Sequence, residues 1–226
     1  MKLNHEASNV TAFIQHLHRE LERSGQSSYI APTDHQDVWM GADVLASDGR
    51  SFSMIEFKDQ EADVRTEGDK PRRKKLCRLL GEWSDTHARC HLIGWRFKQG
   101  SSIEFPVRSY GAYVCTPAII KLDQADISFS SSISIQCETV QKFAEELVAQ
   151  RVGVSYSDFT AYVRWLLSLE GGTDDKGGSG DANDVELLMT CVVDGNLYTK
   201  EFANLAELKL WIDNPPGPTR RIAPKM

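Results

Sequence analysis

Asp43, Glu56 and Lys58 are the residues whose types and spacing could do chemistry. Asp43 is separated by twelve residues from Glu56-Phe57-Lys58, and the interval holds the turn Ser47-Asp48-Gly49-Arg50. The Asp-Gly pair is a strong hairpin signal. In strand alternation Glu56 and Lys58 share one face while Ile55 and Phe57 share the other. The turn brings the strand before it alongside, so Asp43 can approach the Glu56 face. Two carboxylates and one ammonium would then converge at the end of a hairpin whose other face is apolar. Converging carboxylates suit a hard divalent cation that takes oxygen ligands, Mg²⁺ or Mn²⁺. A lysine beside such an ion can orient a water and offset negative charge developing on a phosphate. Phosphodiester hydrolysis is the reaction this set fits best.

The pattern of Asp43, a hairpin gap and Glu56-Phe57-Lys58 resembles the PD-(D/E)xK nuclease superfamily, with Ala42 where the name-giving proline stands. The resemblance covers roughly the first 100 residues. It implies an α/β fold with a restriction-endonuclease-like core, a central mixed sheet flanked by helices, in the order helix, three antiparallel strands, helix, strand. It implies that Asp43, Glu56 and the Phe57 backbone carbonyl hold the metal and that Lys58 assists the attack. Many members also use an acid on the first helix. Glu20 flanks the apolar stripe of Val10, Ile14, Leu17 and Leu21 and is the candidate, with Asp37 as rival. The superfamily includes restriction, repair, transposition and phage-defence enzymes. The expected activity is therefore a metal-dependent nuclease, more for DNA than RNA. The competing class is a non-catalytic adaptor that keeps the nuclease-like fold to bind a protein or nucleic acid.

A basic run follows the proposed metal strand. Lys70, Arg72, Arg73, Lys74, Lys75 and Arg78 place six positive charges in nine residues. Pro71 suits a helical N1 position, and Leu76, Leu79, Leu80 and Trp83 form an apolar face. Lys74, Lys75 and Arg78 fall opposite it. A phosphate backbone is the natural partner of Arg72, Arg73, Lys74, Lys75 and Arg78.

Other elements must position these residues. Residues 9–23 read as an amphipathic helix capped by Ser8 or Asn9, and residues 29–37 as a loop. Strands are expected at 38–46, 51–58, 91–97, 110–115 and 127–135, and helices at 71–83, 139–150 and 157–169. Residues 171–184 form a glycine-rich linker, with five glycines between 171 and 180. Strand, strand and helix follow over 185–213, then a proline-rich mobile tail over 214–226. Some thirty structured residues cannot bury a core alone. The C-terminal unit must therefore pack on residues 1–170, on a second copy or on another subunit.

Composition bounds the class. Hydrophobic residues make up 41% and charged residues 26%, ordinary globular usage that argues against disorder. The net charge of −6 means that any affinity for nucleic acid must come from local patches. No apolar run is long enough to span a bilayer, and the first residues turn polar at once. A soluble cytoplasmic protein without a membrane partner is expected. Five scattered cysteines read as free thiols. Cys77, His87, Cys90 and His91 match no standard zinc spacing, and the glycine-rich stretch lacks a phosphate-loop ending. No serine sits in a hydrolase elbow.

Overall fold

The computed structural model describes residues 5–33, 40–169 and 185–215. Asp37, the whole glycine-rich linker and most of the tail lie outside these residues. The chain is α/β. An eight-stranded mixed sheet runs through it, in the order β10-β9-β1-β2-β3-β4-β7-β8.

The first helix, α1 (Glu6–Arg23), buries Phe13, Leu17 and Leu21 at helical spacing. Its first turn comes earlier than expected: Asn9 does not cap the helix but lies buried inside it. β1 (Ser28–Pro32) is a strand where a loop was expected, because Tyr29, Ile30 and Ala31 are all buried. Pro32 ends it, where a missing N–H is tolerated. β1 pairs antiparallel with β2 (Val44–Ser47), and β2 with β3 (Phe52–Lys58), in register Val44↔Ile55 to Ser47↔Phe52. The intervening turn is tied by the Asp48 carboxylate, which accepts from the Arg50 and Ser51 N–H groups at 2.9 and 2.8 Å.

β3 pairs in parallel with β4 (His91–Trp95), and among the described residues every other pairing in this sheet is antiparallel. A parallel neighbour requires a crossover connection. Here it consists of a 3-10 segment (Glu61–Asp69), α2 (Pro71–Leu79), a 3-10 turn (Gly81–Trp83) and α3 (Ser84–Cys90). The expected single helix over 71–83 is thus broken after Leu79. β5 (Phe97–Gln99) and β6 (Ser102–Glu104) form a separate two-stranded hairpin, and β7 (Val107–Ser109) returns to the main sheet.

Two expected strands are absent. Residues 110–115 form α4 (Tyr110–Val114), a short apolar run whose period cannot distinguish helix from strand. A further turn, α5 (Pro117–Ile120), follows. Residues 127–135 alternate Ile and Phe with Ser but form no strand. Their polar groups bond to helices instead: Ser128 to the Cys77 carbonyl, Ser130 N–H to Ser84, Ser131 to Asp85. The edge strand is the short β8 (Gln136–Cys137). Two helices, α6 (Val140–Val148) and α7 (Tyr156–Ser168), are capped by Thr139 and Ser155.

The C-terminal hairpin, β9 (Leu187–Val193) and β10 (Asn196–Phe202), adds to the same sheet because β9 pairs with β1. α8 (Leu205–Asp213) buries Leu205 and Leu208 with Phe202 and Met189. Helices therefore cover both faces. Phe13, Leu17 and Leu21 of α1 and Phe143 and Leu147 of α6 pack on Ile55 and Phe57. On the other side α2, α4, α7 and α8 pack on Leu45, Met54 and Ile93. A disulfide joins Cys77 of α2 to Cys115 beside α4, with Cα atoms 5.4 Å apart. The five-thiol reading is corrected here, since packing brings together two cysteines that spacing does not relate. Cys90, Cys137 and Cys191 are free and buried.

Because α8 contributes to the shared core, Leu208→Ala should cost about 2–5 kcal/mol of global stability. Urea denaturation followed by fluorescence and circular dichroism should show one transition, moved to lower urea. A separate early transition would show that residues 185–213 unfold independently.

Candidate active site

The C-terminal end of β3 brings together Asp43, Glu56 and Lys58. Ile55 and Phe57 point into the α1 side of the core, so Glu56 and Lys58 face the opposite layer. Beyond the last β2–β3 pair, Asp43 continues the edge: its N–H donates to the Ile55 carbonyl at 2.9 Å. Its side chain then turns back, and Oδ2 accepts the Phe57 N–H at 2.5 Å.

Lys58 is the hub of the site. Its ammonium donates to Glu56 Oε1 at 2.5 Å, to the Phe57 carbonyl at 2.9 Å and to Glu6 Oε1 at 3.3 Å. Glu67 Oε1 is also 3.3 Å away. Burial alone would lower the pKa of this amine, but Glu56, Glu67 and Glu6 outweigh it and hold it above the ordinary lysine value. Asp43 moves the other way for a carboxylate. Burial first, then the neighbouring charge of Glu56, raises its pKa to about 7, against the Phe57 N–H and Lys58.

One expected acid is replaced by another at this site, and a further acid there was not expected. Glu20 lies fourteen residues further along α1 than Glu6, about 21 Å along the axis. It pairs with Arg23 at 2.6 Å, so the helix-borne acid at this site is Glu6, not Glu20. The apolar stripe ranked candidates around the helix but could not say which end meets β3. Glu67 was missed altogether. It sits in the 3-10 segment, with no local period to mark it, and is completely buried.

Arg73 was expected on a nucleic-acid-facing surface and is corrected: it points inward. Its Nε donates to Glu67 Oε2 at 3.0 Å, its Nη2 reaches Glu56 Oε2 at 3.5 Å, and its guanidinium lies 5.6 Å from the Tyr110 ring centroid. Gly41 makes room for it. A Cβ there would fall 1.9 Å from Arg73 Nη1, and the backbone has a φ of +71°. Lys70 is half-exposed and bridges Glu67 at 2.6 Å and Glu56 at 3.0 Å. Arg72 is partly buried. Lys74, Lys75 and Arg78 stay on the outer side, with the Lys75 ammonium also bonded to the Leu169 carbonyl.

The incidental-looking His87 and His91 form a buried chain. His91 Nε2 meets the Gly41 carbonyl at 3.0 Å and so carries the proton; its Nδ1 must accept from the Tyr162 hydroxyl at 2.9 Å. Tyr162 then accepts from His87 Nδ1 at 2.6 Å, which leaves His87 Nε2 bare and without a hydrogen-bond partner among the described residues. Both rings are neutral. Burial pushes His91 down to about 3 and His87 well below its ordinary value. The chain ends at Gly41, two residues before Asp43.

The donors suit a hard divalent cation: Asp43, Glu56 and the Phe57 carbonyl offer only oxygen. Among the described residues no three His, Cys, Asp or Glu side chains form a ready-made metal cluster, and the set here is two carboxylates and a carbonyl. The ammonium of Lys58 touches Glu56 Oε1 and the Phe57 carbonyl. Those oxygens therefore already select positive charge.

The titrating groups give the pH dependence a definite sign. Asp43 binds its proton more tightly in the fold, so its contribution to stability is present below pH 4 and is lost as pH rises through about 7. His91 stays neutral in the fold, so its contribution is present above pH 6.5 and is lost on acidification toward about pH 3; His87, also lowered by burial, acts in the same direction. The two effects oppose each other between about pH 4 and 6.5, where two histidines outweigh one carboxylate. Unfolding free energy measured by urea titration should therefore rise to about pH 6.5 and fall slightly as Asp43 ionises through about 7. Asp43→Asn should remove the fall on the alkaline side and steepen the rise on the acid side, because the opposing carboxylate is gone. An unchanged alkaline slope in that variant would show that Asp43 is not the group responsible.

Among the described residues no helix is long and apolar enough to cross a membrane. No family model, no curated protein and no solved structure matches the chain.

Proposed function

We propose that the chain is a divalent-metal-dependent nuclease of the PD-(D/E)xK type that hydrolyses phosphodiester bonds, with DNA as the substrate. The observation that carries this reading is the convergence of Asp43, Glu56 and Lys58, with the Phe57 carbonyl, at the end of one central strand. The order α1, β1, β2, β3, crossover helices, β4, with β3 and β4 parallel, supports the restriction-endonuclease-like form of the fold.

Asp43, Glu56 and the Phe57 carbonyl would hold Mg²⁺ or Mn²⁺. The ion, when bound, supplies Lewis-acid stabilisation of phosphate charge and a more acidic water. Lys58 is positioned to orient the attacking water and to offset charge on the scissile phosphate. Ionised Asp43 is the form that binds a cation, so metal affinity rises with pH toward and through about 7. Lys74, Lys75 and Arg78 offer a positive outer face for the backbone of the substrate.

We place the chain in the cytoplasm, as the nuclease subunit of a multi-component system such as phage defence. Leu188 and Leu197, exposed at 57% and 70%, share the outer face of the C-terminal hairpin and support a protein partner or a second copy. A second reading, the non-catalytic adaptor, is favoured by one observation. Glu56 is already neutralised by Lys58, Lys70 and Arg73, as a purely structural ion network would be.

Titration of Mg²⁺ and Mn²⁺ with plasmid and single-stranded substrates separates the two readings. Glu56→Gln and Lys58→Met should each lower metal-dependent cleavage by at least about 100-fold, measured where circular dichroism shows the variant still folded, because removing one member of the ion network also lowers the melting temperature. Glutamine is chosen because Glu56→Ala would leave three cations facing a void. Wild-type cleavage by either variant would remove the proposed site.

Charge reversal of Lys74, Lys75 and Arg78 to Glu should weaken DNA binding at every sequence. The slope of log affinity against log salt should fall by about 0.9 for each phosphate that the variant no longer neutralises. An unchanged slope would leave that face without a role in binding.

A further inference from the structure

We propose that Glu67 is a positioning residue for Lys58: it holds the ammonium in place when Glu56 turns its charge to the metal ion. This inference rests on the nuclease reading above.

Glu67 is completely buried, with one oxygen hydrogen-bonded and the other engaged by ion pairs alone. Oε1 lies 2.6 Å from Lys70 Nζ and 3.3 Å from Lys58 Nζ. Oε2 accepts from Arg73 Nε at 3.0 Å and from the Tyr110 hydroxyl at 2.7 Å. Four partners thus come from β3, from the start and body of α2, and from α4. Burying a carboxylate so deeply is costly unless its oxygens are well engaged. Lys58, Lys70, Arg73 and Tyr110 offset that cost, and the carboxylate's charge and direction are what these neighbours require.

The backbone is shaped to deliver it. A Cβ on Gly68 would fall 1.8 Å from the Ile119 carbonyl, so the 3-10 segment presses directly against α5. The Cys77–Cys115 disulfide clamps α2 to the chain beside α4, the two elements that supply Arg73 and Tyr110. Glu67 therefore cannot move toward an ion without breaking its own cage.

Glu56 and Glu67 divide the work at Lys58. Glu56 is the closer partner, at 2.5 Å. Once Glu56 serves an ion, its hold on the ammonium weakens, and Glu67 is the buried carboxylate still facing Lys58. Glu6 is the remaining one, but it is half-exposed on α1 and more easily screened. Glu67 is not among the proposed metal ligands and faces Lys58 at 3.3 Å, so its effect would pass through Lys58.

The test is Glu67→Gln, which keeps shape and removes charge. With Mn²⁺-loaded protein, kcat should fall about ten- to a hundred-fold while KM for DNA stays within about two-fold. Mn²⁺ affinity is measured by titration and the kinetics are read at saturating ion, so that any weakening of the ion is kept apart from the effect on kcat.

The second readout needs no activity. In protein carrying ¹³C-lysine, assigned with Lys58→Arg, the two Hε protons of Lys58 should be inequivalent in the wild type and merge in Glu67→Gln. Unchanged kcat together with unchanged Lys58 resonances overturns the proposal. A wild-type protein that cuts nothing overturns the nuclease reading, while the resonances still decide whether Glu67 orders Lys58. If Glu67→Gln does not fold, Tyr110→Phe carries both readouts, because it keeps the carboxylate and removes one of its anchors. A smaller kcat loss with partial merging is then expected, and no change in either overturns the proposal.

Discussion

Charge buried at the end of β3 is the constraint around which the structure is arranged. Glu56, Glu67 and Lys58 are each less than one-tenth exposed. Ions removed from water lose several kcal/mol each unless pairing and hydrogen bonds return it. The return comes from close contacts: Lys58 with Glu56, Lys70 with Glu67, Arg73 with both carboxylates. Removing one member leaves the others uncompensated, so the network holds together as a unit. Asp43 is its least compensated carboxylate, which is why its pKa rises to about 7.

The sheet topology explains how so many charges reach one point. β3 and β4 are parallel, so the chain must leave the end of β3 and return to the start of β4. That crossover begins where Lys58 ends. Glu67, Lys70 and Arg73 all belong to it, so they pass the strand end before α2 runs outward with Lys74, Lys75 and Arg78. One basic run therefore serves two purposes. Its inner residues compensate buried carboxylates, and its outer residues meet solvent.

The other face of β3 contributes rigidity. Phe13, Phe57, Phe105 and Phe143 cluster beneath it, with the Phe13 and Phe57 ring centroids 4.9 Å apart. The N-terminal turn of α1 is carried to the same end of β3, where Asn9 donates to Asp59 at 3.3 Å and Glu6 meets Lys58. The C-terminal hairpin closes the opposite flank by pairing with β1, which is why β1 is a fully paired strand and not a loop.

Much of this is legible in the amino-acid order alone. Alternation in β3 places Glu56 and Lys58 together, the Asp-Gly turn pairs β2 with β3, and the stripe of α1 includes the buried Leu17 and Leu21. These are nearest-neighbour properties, set by side-chain period and turn chemistry. Local pattern does not show that Glu6 and not Glu20 meets Lys58, that Arg73 turns inward, or that Cys77 bonds Cys115. Nor does it distinguish the apolar run of α4 from a strand, or show that serines 128 to 131 bond to helices. Each of those outcomes depends on contacts between residues tens of positions apart, whose energy exists only once the sheet has formed. Glu67 is the clearest case. Nothing local marks a glutamate in an irregular segment, and only the tertiary structure surrounds it with Lys58, Lys70, Arg73 and Tyr110. A carboxylate takes its role from the cations that its burial forces upon it.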